Sequence, residues 1–482
     1  MNKTIDIFII YLSFVASLFV ITIKTNNFTL QLVIVALCSL YFYIKYKKYI
    51  GFRGVNIPIS LFFLIFCALG NVAYFAYSPD YVISNPHNPF GSIETGRYAN
   101  IAKFIVEYNY VPSLKQNYFQ SIMSAAMHKI LNTNFVFNLF FLLLFSKFLL
   151  AQYFFNIFSE KLNKYLSVLL VMFLFFCGVS IENQYYINVD TGFPIMVIGY
   201  FDVVLSILSI LVFIKINHNF DSKNYIINTF FYYSWIIYSP QNLFVVGLYY
   251  LYVFIKSRDR FPLFNLLIIS SSLLYGYFFC GFFLKHSDPL ALIKIDGLSI
   301  LIENIKLTFY PGLDVLKFNP FNYPGFDFIH ISQPTITSDI ELSRLIKILW
   351  DRLFFALKTH SLVFFILMTL LISGKININD FDRFKAFYYS AITLFIFSFL
   401  FGVTGFKWQM SRFSSVAIYL SIASLFLYSS TELFKTKNRF LLLLFFVLIF
   451  YLSIKNFYGF IFRAYNFFLI APYEILVKLW SI

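Results

Sequence analysis

The stretch FVFNLFFLLLFSKFLLAQYFFNI, residues 135–157, decides the fold class of this chain. It is almost continuously apolar, and an α-helix of about 20 apolar residues crosses the hydrocarbon core of a bilayer. Similar runs recur along the 482 residues, of which 60% are hydrophobic and 12% charged. Because the runs are continuous rather than alternating, they predict helices and not β-barrel strands. The chain is therefore interpreted as an all-α polytopic membrane protein.

The apolar runs predict about eleven to thirteen transmembrane helices in a single transmembrane domain, residues 1–482. The runs lie near residues 5–23, 28–44, 57–77, 135–157, 165–182, 193–214, 225–239, 242–256, 262–283, 359–373, 386–404, 413–430 and 440–455. Two of the polar segments between them are long, residues 78–134 and 285–358. Both are predicted to be large loops on the outer side.

The formal net charge is +15, and most of the basic residues lie in short loops between the predicted spans. A consistent topology puts these loops on one side of the membrane, as the positive-inside rule requires, with the N-terminus inside. The rule accounts for most of the excess positive charge, so no nucleic-acid partner is expected. The loops contain Lys45, Lys47, Lys48 and Arg53, then Lys161 and Lys164, Lys215 and Lys223, Lys256, Arg258 and Arg260, Lys375, Arg383 and Lys385, and Lys435, Lys437 and Arg439.

Metal and nucleotide chemistry have no signature in the sequence. The four cysteines lie inside apolar spans without metal-ligand spacing, and the six histidines are scattered. There is neither a glycine-rich phosphate loop nor a nucleophile elbow. We expect no metal and no cofactor. The cysteines are Cys38, Cys67, Cys177 and Cys280.

The first long loop carries Ser92-Ile93-Glu94-Thr95-Gly96-Arg97-Tyr98, a carboxylate, an arginine and a tyrosine beside a membrane. In a helix from about residue 93 to 106, Glu94 and Tyr98 share one face and Arg97 lies one turn from Glu94. Glu94 there is a candidate base for a sugar hydroxyl, and Arg97 a candidate guide for an anionic substrate. The alternative is an ion pair that only solubilises a loop helix.

Other candidate residues are predicted on the same outer face. Asp190 supplies either a second carboxylate or simple interface polarity. Lys407 and Arg412 lie in a short outer loop, where basic residues are disfavoured, so they indicate a bound anion or carboxylate, or else an interfacial pair. Gln241 follows Ser239-Pro240 between two short spans, which form either a broken hairpin facing the bundle interior or two short spans with a tight turn.

The motifs resemble those of the GT-C superfamily of integral-membrane glycosyltransferases. The resemblance rests on residues 94–102 (ETGRYANIA), Val111-Pro112 and Tyr118, which are similar to the acidic first large loop of that family, and on Ser411-Arg412-Phe413, which is similar to its late Arg-aromatic pair. The resemblance in the order of many helices with two large outer loops extends over most of the chain. In the family the acidic loop usually follows the first span, whereas here it follows the third.

The resemblance implies an enzyme that moves a sugar from a polyprenyl-phosphate donor to a glycan or lipid-linked acceptor, with inversion. Glu94 would be the base and Arg412 a phosphate ligand, with Arg97, Tyr98, Tyr118, Lys407 and Gln241 around the substrate. The implied setting is surface-polysaccharide or O-antigen synthesis at a bacterial inner membrane, with the site facing the periplasm. An O-antigen polymerase and a lipid-linked oligosaccharide flippase are the alternatives.

Overall fold

A computed structural model describes residues 2–49, 56–76, 93–111, 118–160, 162–176, 195–197, 200–217, 224–257 and 260–280, with single positions from 443 to 461. The described residues form helices and no strand. In chain order the α-helices are α1 (Asn2–Ile21), α2 (Phe28–Tyr46), α3 (Ile57–Ala76), α4 (Ile93–Tyr108), α5 (Phe119–Leu131), α6 (Phe135–Ser159), α7 (Lys164–Phe176), α8 (Phe201–Ile216), α9 (Tyr225–Tyr238), α10 (Pro240–Ser257) and α11 (Arg260–Cys280).

A helix occupies each predicted span up to residue 283, and α4 and α5 lie within the first predicted loop. Described positions from 443 to 461 are also helical and pack on α7, where Ser453 Oγ donates to the Phe173 carbonyl at 2.7 Å. The predicted spans at 359–373, 386–404 and 413–430 and the predicted loop 285–358 lie outside the described residues.

Three described helices are long and apolar enough to cross a membrane: Thr4–Ile21, Phe28–Tyr46 and Phe135–Ser159. Two begin at asparagine caps, because Asn27 Oδ1 accepts from the Leu30 N–H and Asn134 Oδ1 from the Val136 N–H. α2 presents an apolar outer face, in which Leu37 is 65% exposed and Tyr41 66%. A surface of this kind suits contact with lipid.

The centre of the bundle is α8, whose residues from Phe201 to Phe213 are all buried. It packs between α1, α6 and α9, and α9 packs in turn against α10 and α11. α8 begins at Phe201 rather than near residue 193 as the apolar run suggests. Pro194 and Gly199 disfavour helix in that interval, and a 3-10 turn at Ile195–Val197 and an extended Tyr200 occupy it.

The break between α9 and α10 lies inside the protein. α9 ends at Tyr238 and α10 starts at Pro240, so one residue, Ser239, with φ −156° and ψ 61°, reverses the chain. Proline suits the first position of a helix, because an N–H at that position would have no acceptor within the helix and proline has none to satisfy. Ser239 is fully buried, and its hydroxyl and that of Ser206 in α8 share a hydrogen bond at 2.5 Å. The hairpin therefore has a tight turn that protein shields.

Candidate functional site

The N-termini of α5 and α8 meet at a buried carboxylate. Asp202, in the first turn of α8, is fully buried, and its Oδ2 accepts a hydrogen bond from the Phe119 N–H at 3.1 Å. Phe119 is the first residue of α5, so this N–H has no acceptor within its own helix. A negative charge is favourable there because the helix dipoles of α5 and α8 present their positive ends.

The cap is reciprocal. The Oε1 atom of Gln120 accepts from the Phe201 N–H at 3.2 Å, so α5 supplies the acceptor that the start of α8 lacks. Tyr200 precedes α8 in an extended conformation, and its side chain makes no capping hydrogen bond. Each helix start thus supplies a hydrogen-bond acceptor to the other, although residues 119 and 202 are 83 positions apart in sequence. We call residues 119, 120, 200, 201 and 202, together with Asn242 of α10, the helix-end junction.

α4 is anchored to the helix-end junction through Tyr98. The Tyr98 ring is 5% exposed and meets the Tyr200 ring edge to face, with centroids 5.7 Å apart and planes at 86°. Its backbone carbonyl accepts from Ser121 Oγ at 3.0 Å. Glu94 and Arg97 belong to the first two turns of the same helix, although their side chains lie outside the described residues. Tyr98 therefore fixes α4 beside the helix-end junction.

The helix-end junction lies beside the middle of α1 rather than beside its end. The Phe119 ring is 5.9 Å from the ring of Tyr238, and the Tyr238 hydroxyl shares a hydrogen bond with Ser13 Oγ at 3.1 Å. Ser13 is near the centre of α1, which spans Asn2–Ile21. Ser234 Oγ also donates to the Tyr238 hydroxyl at 3.1 Å. Polar groups are thus gathered halfway along a helix long enough to cross a membrane.

α10 brings a further amide one turn along α8. Asn242 is fully buried, and its Nδ2 donates to the Ser206 carbonyl at 3.1 Å. Buried polar atoms of the helix-end junction without a hydrogen-bond partner among the described residues include Gln120 Nε2, the Tyr200 hydroxyl and Asn242 Oδ1. Such atoms are rare in proteins, where most buried polar groups are paired.

A second ionisable side chain is buried in α6. Lys147 is fully buried, and its Nζ donates to the Met196 carbonyl at 3.0 Å, in the 3-10 turn that precedes α8. No carboxylate of the described residues forms an ion pair with it. Gly70 of α3 allows the turn to approach, because a Cβ there would lie 2.6 Å from Met196 Sδ. Lys147 thus holds the chain leading into the helix-end junction.

The candidate residues from the sequence fall into two groups. Tyr98 and Tyr118 are buried beside the start of α5, Tyr118 immediately before it. Gln241 is in the first turn of α10, and its side chain, like those of Glu94 and Arg97, lies outside the described residues. Asp190, Lys407 and Arg412 also lie outside them. The structure therefore places Tyr98 and Tyr118 at the same end of α5, and the other predicted contacts stay predictions.

Sequence reasoning missed Asp202, Gln120 and Lys147. Asp202 and Lys147 fall inside predicted spans, and an ionisable residue inside a membrane span is a functional candidate, so that signal was present. Gln120 has no such signal, because a glutamine in a polar loop is ordinary. Its importance comes from the helix end that its side chain reaches.

Within the described ranges, no three histidine, cysteine, aspartate or glutamate side chains are grouped so that they could hold a metal ion. Comparisons with protein-family models, with curated proteins and with solved structures find no match for this chain.

Proposed function

We propose that this chain is a polytopic membrane glycosyltransferase that moves a sugar from a polyprenyl-phosphate donor to a glycan or lipid-linked acceptor. One observation supports the proposal above others. The helix that carries Glu94 and Arg97 is tied through Tyr98 to a buried polar junction around Asp202. A helix that only solubilised a loop would not need that anchor. The enzyme is proposed to work at a bacterial inner membrane, facing the periplasm.

The proposed reaction is a direct displacement. Glu94 takes the proton of an acceptor hydroxyl while its oxygen forms the new bond to the anomeric carbon of the sugar. The bond from that carbon to the phosphate oxygen breaks on the opposite face, and the electron pair leaves with polyprenyl phosphate. Arg97, Lys407 and Arg412 are proposed to stabilise the charge on the leaving phosphate. No covalent sugar–enzyme intermediate is needed, and the product is inverted.

Three further residues complete the proposed site. Asp190 is proposed as a second carboxylate on the same face. Tyr118 and Gln241 are proposed to contact substrate near the starts of α5 and α10. Tyr98 is proposed to position Glu94 relative to these residues, because both belong to α4 and the Tyr98 ring packs against Tyr200 of the helix-end junction.

The Glu94→Gln substitution tests the proposal. With a polyprenyl-phosphate hexose as donor, we expect the transfer rate of the variant to be about 100-fold lower than that of the wild type or lower still. A general base usually contributes a factor of this size. The matched control is Glu107→Gln on the same helix. Glu107 is exposed and forms a 3.6 Å surface pair with Lys103, so its loss should leave the rate unchanged. Normal transfer by Glu94→Gln would refute the assignment.

A lipid-linked oligosaccharide flippase is the second candidate, and the interior ionisable residues favour it. Asp202 and Lys147 are fully buried in the bundle, where a transporter would carry its substrate path. The same preparation distinguishes the two. A transferase releases polyprenyl phosphate from the donor, whereas a flippase moves the lipid across a vesicle membrane with the glycosidic bond intact. A polymerase would instead be recognised by products of several repeat units.

A further inference from the structure

The helix-end junction has unused hydrogen-bonding capacity of both kinds. Gln120 Nε2 is a donor, Asn242 Oδ1 is an acceptor and the Tyr200 hydroxyl is both, and all three are buried without a partner among the described residues. They are close along α8. Tyr200 precedes it, Gln120 contacts its first residue, Phe201, and Asn242 contacts Ser206, one turn beyond Asp202.

One group of buried amides in the same bundle has all of its hydrogen bonds. Asn217, Asn228 and Asn265 connect α8, α9 and α11 through side-chain hydrogen bonds of 2.9–3.1 Å. Asn265 Nδ2 donates to the Phe261 carbonyl at 2.9 Å, so both amide atoms of each asparagine are paired. Packing in this protein can therefore complete such groups. Single buried atoms are also open on Gln31, Asn71 and Asn156, but around the start of α8 three residues each have one, and this grouping indicates a shared partner there.

The carboxylate of Asp202 limits the charge that a partner at the helix-end junction can carry. The carboxylate of Asp202 already lies at the positive ends of α5 and α8. A second anion within a few ångströms would be repelled by it in a low-dielectric interior. A phosphate is therefore disfavoured, and a neutral group with hydroxyls is favoured. The rings of Tyr98, Tyr200 and Phe119 add flat apolar surface beside the polar atoms, a combination typical of small-molecule sites.

We propose that the helix-end junction binds the hydroxyl groups of a neutral sugar ring through Gln120, Tyr200 and Asn242, and that it excludes the phosphate. The identity of the ligand as the sugar of a lipid-linked donor or acceptor rests on the proposed function. The site itself does not depend on Glu94, so binding and transfer are separable. Recognition of the sugar and stabilisation of the phosphate then belong to different parts of the protein.

The test is binding by purified full-length protein in lipid nanodiscs. The probes are polyprenyl phosphates carrying glucose, galactose, mannose or N-acetylglucosamine, and polyprenyl phosphate without a sugar. Tyr200→Phe removes one hydroxyl and keeps the ring. We expect it to weaken binding of the preferred sugar-bearing lipid about fivefold, as for the loss of one hydrogen bond, and to leave binding of bare polyprenyl phosphate unchanged.

Tyr232→Phe is the matched control, because its hydroxyl donates to Asn265 Oδ1 at 2.7 Å in the satisfied asparagine network. It should bind the sugar-bearing lipids as the wild type does. The inference fails if the wild type prefers no sugar-bearing lipid over the bare one. It also fails if Tyr200→Phe binds normally, in which case the open atoms hold only water. Glu94→Gln is expected to bind normally while losing transfer. Binding of a sugar-bearing lipid by the wild type without any sugar transfer would refute the proposed function but not this site.

Discussion

Two buried polar regions of this bundle use similar side chains to opposite effect. The asparagine network of Asn217, Asn228 and Asn265 pairs every amide atom that it contains. The helix-end junction is equally buried and leaves Gln120, Tyr200 and Asn242 each with an unpaired atom. Complete pairing joins α8, α9 and α11. Incomplete pairing keeps hydrogen-bonding capacity available for something that the chain does not itself supply.

The regions also differ in charge. The asparagine network is neutral, whereas the helix-end junction is built around the carboxylate of Asp202. Neutral amides can pair in either direction, so helix packing alone completes them. A buried carboxylate needs donors from several sides, and here a helix N-terminus provides one. The contrast suggests that one region fastens helices and the other has a second role.

Asp202→Leu should have the largest effect on stability. It removes a charged acceptor and leaves the Phe119 N–H buried and unpaired, so we expect a loss of about 3 kcal/mol in the free energy of unfolding. Chemical unfolding in detergent micelles measures it. Asp202→Asn retains an acceptor and should lose less than half as much. Equal losses would show that pairing with Phe119 is not what the side chain contributes.

Asn228→Leu should destabilise by a smaller amount, because it breaks the centre of the satisfied network. Asn217 and Asn265 each lose a side-chain partner but keep a backbone carbonyl. We expect a loss of about 2 kcal/mol by the same measurement. The sugar-bearing lipids should still bind to this variant. A loss of binding without a loss of stability would contradict the division between the two regions.

Replacing Tyr232 or Tyr200 with phenylalanine should have the smallest effects on stability, and it compares the two regions most directly. Tyr232→Phe removes a hydroxyl that donates to Asn265, so we expect a loss of about 1 kcal/mol. Tyr200→Phe removes a hydroxyl with no partner among the described residues, so the free energy of unfolding should change by less than about 0.5 kcal/mol. Thermal unfolding of the ligand-free variants measures both. Equal losses would mean that Tyr200 is paired within the protein.

Much of the helix content could be predicted from the chain alone, because a long apolar run such as residues 135–157 has to satisfy its backbone internally once it leaves water. The asparagine caps before α2 and α6 are local as well. The start of α8 was harder. The apolar run continues through Pro194 and Gly199, so hydropathy does not mark the turn that precedes Phe201.

The candidate site was predicted only in part. Tyr98 shares a face with Glu94 by helical periodicity, and periodicity is a local property of the chain. The pairing of Gln120 with Phe201 and of Phe119 with Asp202 is not local, because it depends on how α5 and α8 pack. Asp202 was visible as an ionisable residue in an apolar run, but no sequence pattern names its partner.

Residue order alone thus specifies the helical, apolar character of this protein and the helix on which Glu94 and Arg97 lie, since helix formation and hydropathy depend on neighbouring residues. The packed bundle specifies that the starts of α5 and α8 cap each other beside the middle of α1, and that polar atoms of Gln120, Tyr200 and Asn242 there stay open. The reason is physical. A helix end buried among other helices must find its hydrogen bonds in residues distant in sequence.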